Sequence, residues 1–119
     1  MYTENEGTAC RCAAYLRVSQ EDGDKRESDS IHNQRAYINS YAESHGLFIK
    51  ETFIDDGYSG VSFDRPGFLK LLEAIKDGKI NCVIVKDLSR FGRNYIEAGR
   101  YIEQIFPYLG VRFIAINDN

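Results

Sequence analysis

Apolar and polar positions alternate along this chain in two periods. Residues 13–18, 47–54, 80–86 and 111–116 are short apolar runs bounded by polar or glycine-containing segments, and they predict four strands. The run Ile80-Asn81-Cys82-Val83-Ile84-Val85-Lys86 is the clearest buried strand. Between the runs the period changes to that of a helix. Residues 30–45 put Ile31, Ile38, Tyr41 and Ala42 on one face. Phe68, Leu71, Leu72 and Ile75 fall at i, i+3, i+4 and i+7, and Tyr95, Gly99, Ile102, Phe106 and Leu109 form a third stripe. Punctuation agrees with these elements. Gly46, Gly78 and Gly110 follow the helices, Pro66 suits the first turn of the second, and Asn94 with Glu97 resembles a capping box for the third. Strand and helix in strict alternation predict an α/β fold, a three-layer sandwich with a mostly parallel central sheet.

Such sheets bind ligands beyond the carboxyl ends of their strands. Three groups of polar residues fall there: Ser19 after the first strand, residues 55–65 after the second, and residues 86–93 after the third. Side chains alternate faces along a strand, so Tyr15, Arg17 and Ser19 share one side. An arginine inside an apolar strand is costly unless it is paired or sits at the strand mouth. Ser19 alone reads as a turn residue; with Arg17 two positions before it, it reads as a nucleophile beside a cation. Arg90 and Arg93, at i and i+3, lie side by side on a helical turn and can clamp phosphate oxygens, although a solvated basic turn reads as well. Arg65 has its backbone fixed by Pro66, and Gln34 sits on or beside the inward face of the first helix. Asp55 and Asp56 followed by glycines admit three readings: a magnesium site with Asp87, a solvated turn, or Asp56 orienting an arginine, which is preferred.

Composition narrows the classes. The 119 residues are 43% hydrophobic and 28% charged, one domain's worth with a real core. No apolar run reaches the ~20 residues of a membrane-spanning helix, which argues against a membrane partner. Residues 1–9 are polar and expected to fray. Cys10, Cys12 and Cys82 have neither disulfide-framework nor zinc spacing and read as thiols of a reducing cytoplasm. Net charge is −3, with acids grouped at 21–24, 27–29 and 55–56, yet residues 86–93 carry three positive charges against one negative. That pattern suits one phosphate contact better than a long electrostatic footprint.

Five segments in order, Tyr15-Leu16-Arg17-Val18-Ser19, Ser30-Ile31-His32-Asn33-Gln34, Asp56-Gly57-Tyr58-Ser59-Gly60, Asp64-Arg65-Pro66-Gly67-Phe68 and residues 86–94, resemble the N-terminal catalytic domain of the serine recombinases, the resolvase/invertase superfamily. The chain is most similar to the large members that move integrative elements, over nearly its whole length. The resemblance implies a catalytic domain over residues 10–119. In it Ser19 is the nucleophile, forming a 5′-phosphoserine link to DNA. Arg17, Arg65, Arg90 and Arg93 are the active-site arginines, with Tyr15, Gln34 and Asp56 in support. It implies no metal and no cofactor, DNA as partner, and a homodimer that assembles to a tetramer on DNA. It implies further that a dimerisation helix and DNA-binding domains lie outside these residues, so that this piece alone binds DNA poorly. The small resolvases carry an aspartate where this chain has Ser89; whether Asp87 or Ser89 positions Arg90 stays open, as does the group that deprotonates Ser19.

Two other classes compete. A receiver-like module would hold magnesium on Asp55, Asp56 and Asp87 and bind phosphate on a doubly wound fold. A non-catalytic domain would use Ser19 only to cap a turn, against which Arg17 in mid-strand argues.

Overall fold

The computed structural model describes residues 10–19 and 30–118. The expected frayed tail at 1–9 and the acidic groups at 21–24 and 27–29 lie outside the described residues.

Four strands form one sheet: β1 (Cys12–Val18), β2 (Ile49–Asp56), β3 (Cys82–Val85) and β4 (Arg112–Ala115). Their order is β2-β1-β3-β4 and every pairing is parallel. Helix α1 (Ile31–Ser44) follows β1, α2 (Pro66–Lys76) follows β2, and the four-residue α3 (Leu88–Phe91) follows β3. Strand alternation separates two cores. Cys12, Ala14, Leu16, Cys82, Ile84 and Ile114 pack with Ile38 of α1 on one face. Ala13, Tyr15, Phe53, Val83, Val85 and Ala115 pack with Phe68, Leu71 and Ile75 of α2 on the other. That is the predicted three-layer sandwich. The chain steps from β1 outward to β2, then crosses back to β3. The carboxyl ends of β1 and β3 therefore flank the point where strand order reverses, the usual ligand crevice of such folds.

Some boundaries differ from the sequence expectation, for identifiable reasons. The second strand starts at Ile49 rather than at 47 because the Leu47 N–H turns back to Ala42 O at 2.8 Å, closing the end of α1. It runs on through the two acids because the ladder with β1 continues to Val18 opposite Asp56. Val111 likewise donates to Phe106 O and stays outside β4.

The third helical stretch is not one regular helix. α4 (Tyr95–Arg100) leads into a π-helical turn at Tyr101–Ile105 and then α5 (Phe106–Tyr108). Pro107 has no N–H for the carbonyl four residues back, and the turn before it widens so that Phe106 N donates to Tyr101 O. The extra residue rotates the buried stripe. Ala98 and Phe106 are buried, with Tyr101, Ile102 and Ile105 packed beside them, whereas Tyr95 is 84% exposed. Capping follows the sequence more closely. Asn94 Oδ1 accepts from Glu97 N at 3.2 Å, Ser30 Oγ accepts from Asn33 N, and Pro66 opens α2. Glu97 completes no box; it pairs with Arg100 instead.

Candidate active site

Among the described residues six polar or charged side chains are buried: Arg17, Ser19, Gln34, Asp55, Arg65 and Arg90. All six sit at the carboxyl edge of the sheet, contributed by β1, α1, β2, the start of α2 and α3. Burial of polar groups is costly, and elsewhere among the described residues no polar or charged residue type is buried. Their concentration at one place marks the site.

Arg17 is the hub. It is 0% exposed and donates to three carbonyls: Nε to Arg90 O at 3.1 Å, one terminal nitrogen to Tyr58 O at 2.8 Å and the other to Ser89 O at 2.6 Å. One guanidinium thereby ties β1 to the β2–α2 loop and to the turn after β3. Its own backbone is held in turn. Gln34 Nε2 and an Arg90 terminal nitrogen both donate to Arg17 O, at 3.0 and 3.1 Å, and Arg17 N donates to Gln34 Oε1. Gln34 thus reaches the site, on the main chain of the strand end. Ser19, the next residue but one, is 2% exposed. The β2–α2 loop closes against the same point. Gly57 N donates to Val18 O and Arg93 N to Gly60 O. Gly60 lies so close to the cations that a Cβ there would stand 2.7 Å from an Arg17 terminal nitrogen and 3.0 Å from Arg93 Cγ. Arg93 itself is exposed at the rim.

Arg65 immediately precedes α2 and is held by side-chain and main-chain groups together. It donates from Nε to Ser62 O at 2.7 Å, and from its terminal nitrogens to the Tyr15 hydroxyl at 2.6 Å and to Phe91 O at 2.9 Å. Its guanidinium carbon stands 4.5 Å from the centroid of the Phe63 ring, a cation–π contact. The Tyr15 hydroxyl in turn donates a hydrogen bond to Asp55 Oδ2, at 2.7 Å. The acid that reaches an arginine is therefore Asp55 and not the expected Asp56. Strand parity explains the difference. Phe53 and Asp55 face the α2 side and are buried, while Ile54 and Asp56 face away and are exposed. Register carries the signal that sequence reading passed over, because Asp55 stands beside Arg17 in the β1–β2 ladder.

In the turn after β3, Asp87 rather than Ser89 bonds the main chain of Arg90 through its side chain. Asp87 Oδ1 accepts from Arg90 N at 3.0 Å and from the Ser89 hydroxyl at 2.6 Å, so Asp87 fixes the backbone of the turn that carries Arg90. Ser89 contributes its carbonyl to Arg17. The opposite flank is held by Asp118, which accepts from Leu88 N. These bonds also weigh on the magnesium reading. Asp55 commits its oxygens to Tyr15 and to the N–H groups of Gly67 and Phe68, Asp87 is a helix cap, and Asp56 lies apart on the other face. Among the described residues no three His, Cys, Asp or Glu side chains are grouped as a metal would require.

Electrostatics follow from four cations gathered near one buried carboxylate. Burial first, and then the charges of Arg65 and Arg90, push the Arg17 guanidinium down to about 10. Burial pushes the Tyr15 phenol well up, reinforced by Asp55 and opposed by Arg65, so it stays protonated and donates. Cys12 and Cys82, cross-strand partners at the far end of the sheet, are both fully buried, and burial raises both thiols; they are core residues.

Residues 12–119 match the protein family described as Resolvase, N terminal domain. The chain belongs to the resolvase family of serine recombinases. It is 33% identical over 98 residues to the Transposon Tn2501 resolvase of Escherichia coli, a match that covers 80% of this chain and 44% of that protein. The chain thus spans less than half the length of that relative. Among solved structures it is similar to the N-terminal catalytic domain of TP901-1 integrase, with a TM-score of 0.83 and 28% identity over 90% of this chain and 78% of that one. It is similar also to a resolvase family site-specific recombinase from Streptococcus pneumoniae, with a TM-score of 0.73 and 31% identity over 90% and 72% of the two chains. The α/β fold and the serine recombinase family expected from the sequence both stand on these matches, and the sheet, expected to be mostly parallel, is parallel at every pairing.

Proposed function

We propose that Ser19 attacks a DNA phosphodiester and that the arginines stabilise the charge that builds on the phosphoryl oxygens. The Ser19 Oγ–phosphorus bond forms as the bond from phosphorus to the 3′ oxygen breaks. The serine loses its proton and the departing 3′ oxygen gains one. One phosphate ester replaces another, so the link stores the energy for rejoining, and a 3′-hydroxyl from a second strand end reverses the step. Such chemistry needs no nucleotide and no metal for its energy balance. DNA is the partner, and strand exchange needs at least two copies of the chain; dimers that pair as tetramers on DNA fit that need.

The observation that carries the reading is the buried set itself: three arginines and a serine with one carboxylate. A guanidinium has five N–H donors. Among the described residues Arg17 and Arg65 each commit three to the protein, leaving two on each for an anion. Fixed donors of this kind act where charge develops in the transition state. Loss of one charge-assisted contact, about 1.5–3 kcal/mol, slows the chemistry by about ten- to a hundredfold. Ser19 and Arg17 are nearly inaccessible here, so the proposed attack requires local rearrangement at the mouth of β1.

The test uses the full-length protein with duplexes cut from the DNA flanking its gene, in EDTA. Denaturation traps protein on a 5′ end, and peptide mapping locates the phosphate on Ser19. Ser19→Ala yields no adduct. Cutting and joining by Ser19→Ala at the parental rate overturns the assignment and leaves the non-catalytic reading of Ser19 in place.

A further inference from the structure

Two of the attachments that hold Arg65, one through its side chain and one through its backbone, end on the same carboxylate. Through its side chain, Arg65 donates to the Tyr15 hydroxyl at 2.6 Å, and that hydroxyl donates to Asp55 Oδ2 at 2.7 Å. Through its backbone, Arg65 is the residue before Pro66, and the next two N–H groups of the helix donate to Asp55: Gly67 N to Oδ1 at 2.7 Å and Phe68 N to Oδ2 at 2.9 Å. Asp55 is 1% exposed, and the fit around it is tight. A Cβ at Gly67 would stand 2.9 Å from Asp55 Oδ1 and 2.6 Å from Ile54 O. Nothing else buried among the described residues carries negative charge.

We propose that Asp55 is the positioning residue for Arg65, fixing its backbone through the first turn of α2 and its guanidinium through Tyr15. Asp55 does not touch the phosphate. A protonated phenol between carboxylate and guanidinium accepts from the cation and donates to the anion, so it transmits orientation without neutralising the charge. A direct Asp55–Arg65 ion pair would tie up the two N–H groups that the transition state uses. The arrangement also explains why a tyrosine, rather than a phenylalanine, stands in mid-strand at position 15.

The inference rests on the recombinase reading for its catalytic consequence only, and the experiment has one arm for each. In the first, full-length protein is treated with phenylglyoxal, and the modification of each arginine is followed by peptide mapping. Arg65 is expected to be protected in the parent and to react about tenfold faster in Asp55→Asn and in Tyr15→Phe, with Arg17 unchanged as internal reference. Equal protection of Arg65 in the parent and both variants overturns the proposal, and so does a parallel rise at Arg17, which marks general loosening. Tyr15→Phe removes a single oxygen, so it keeps the test alive if Asp55→Asn does not fold. In the second arm the rate of covalent adduct formation is measured for Asp55→Asn with Arg65 present and with Arg65→Lys. A loss of about tenfold in the first background and less than about twofold in the second is expected of residues acting as one unit. The same loss in both backgrounds overturns it. Absence of any adduct in the parent protein would count against the recombinase reading, while the phenylglyoxal arm still decides the role of Asp55.

Discussion

Gly60→Ala tests whether the β2–α2 loop is held down on Arg17 at the distance the structure gives. Gly60 is buried and has no positive φ, so alanine meets no backbone penalty. The added Cβ would stand 2.7 Å from an Arg17 terminal nitrogen and 2.9 Å from its guanidinium carbon, about 0.7 Å inside the 3.4 Å where ordinary contact begins. A long side chain usually yields at little cost, but this one is tied at three points, at 2.6, 2.8 and 3.1 Å. Arg93 Cγ, 3.0 Å from the same Cβ, blocks part of the retreat. A shift of that size breaks at least one charge-assisted hydrogen bond, about 1.5–3 kcal/mol. At roughly 4 °C per kcal/mol for a domain of this size, melting falls by about 6–12 °C. If Arg17 faces the phosphate, adduct formation slows by about ten- to a hundredfold as well. Thermal unfolding by circular dichroism and single-turnover adduct formation read the two effects. Gly57→Ala is the control: it introduces strain at φ 90° but meets no atom within 4 Å. It is expected to lower stability by about 1 kcal/mol and leave Arg17 in place. A Gly60→Ala protein that melts within a degree of the parent and forms adduct at the parental rate would refute the reasoning.

Three further outcomes follow from the same geometry. Because the Arg17 guanidinium is lowered to about 10, the unfolded chain binds that proton more tightly, and the cost of the charge is present in full below pH 10 and relieved as pH rises above it. The stability of the parent relative to Arg17→Gln, by urea unfolding, should therefore improve by about 1 kcal/mol between pH 9 and 11, and Tyr15, whose raised pKa works the opposite way, cancels in the comparison. Asp87→Ala removes the cap from the turn bearing Arg90 and should cost about 1 kcal/mol in the same assay, with Asp87→Asn recovering most of it. Phe91→Ala opens a void among Phe63, Phe68, Tyr101, Phe106 and Phe113 and should cost about 3–5 kcal/mol; a loss below about 1 kcal/mol would mean that the aromatic cluster is not the centre of the core.

The layers were legible because each strand keeps strict parity and α2 keeps a clean helical period. Ser19, Arg17, Arg65 and Arg90 were legible as candidates because cations at strand ends stand out against apolar runs, and the structure brings them to one edge. Asp55 was not. An acid pair before a glycine looks like a solvated turn, and hydropathy ends the strand at Ile54, whereas the ladder with β1 continues for two more residues. The phase of the third helical stretch was also misread, because the effect of Pro107 is felt a turn earlier, where the π-turn lets Tyr101 rather than Tyr95 face the core. The carbonyls that receive Arg17 and Arg65 leave no trace in sequence, since every residue type supplies one.

Those carbonyls bear on function more directly than the arginines do. A domain that buried Arg17 and Arg65 for stability alone would pair them directly with carboxylates, because unpaired buried charge is costly. Here Tyr58, Ser62, Ser89, Arg90 and Phe91 offer neutral oxygens instead. Neutral acceptors fix the orientation of Arg17 and Arg65 without neutralising their charge, which is what the proposed phosphate contact requires. The cost is visible at Arg17, held down to about 10 by burial and by its like-charged neighbours. Arginine tolerates that cost better than lysine would, because an ammonium lowered by the same amount begins to lose its charge close to working pH while the guanidinium does not. Lysine would also lack the planar fork needed to reach carbonyls on two separate segments at once. A site that stays cationic while dry is therefore best built from guanidiniums held by neutral acceptors, with the one buried carboxylate acting on Arg65 through the Tyr15 hydroxyl and the helix backbone rather than by direct pairing.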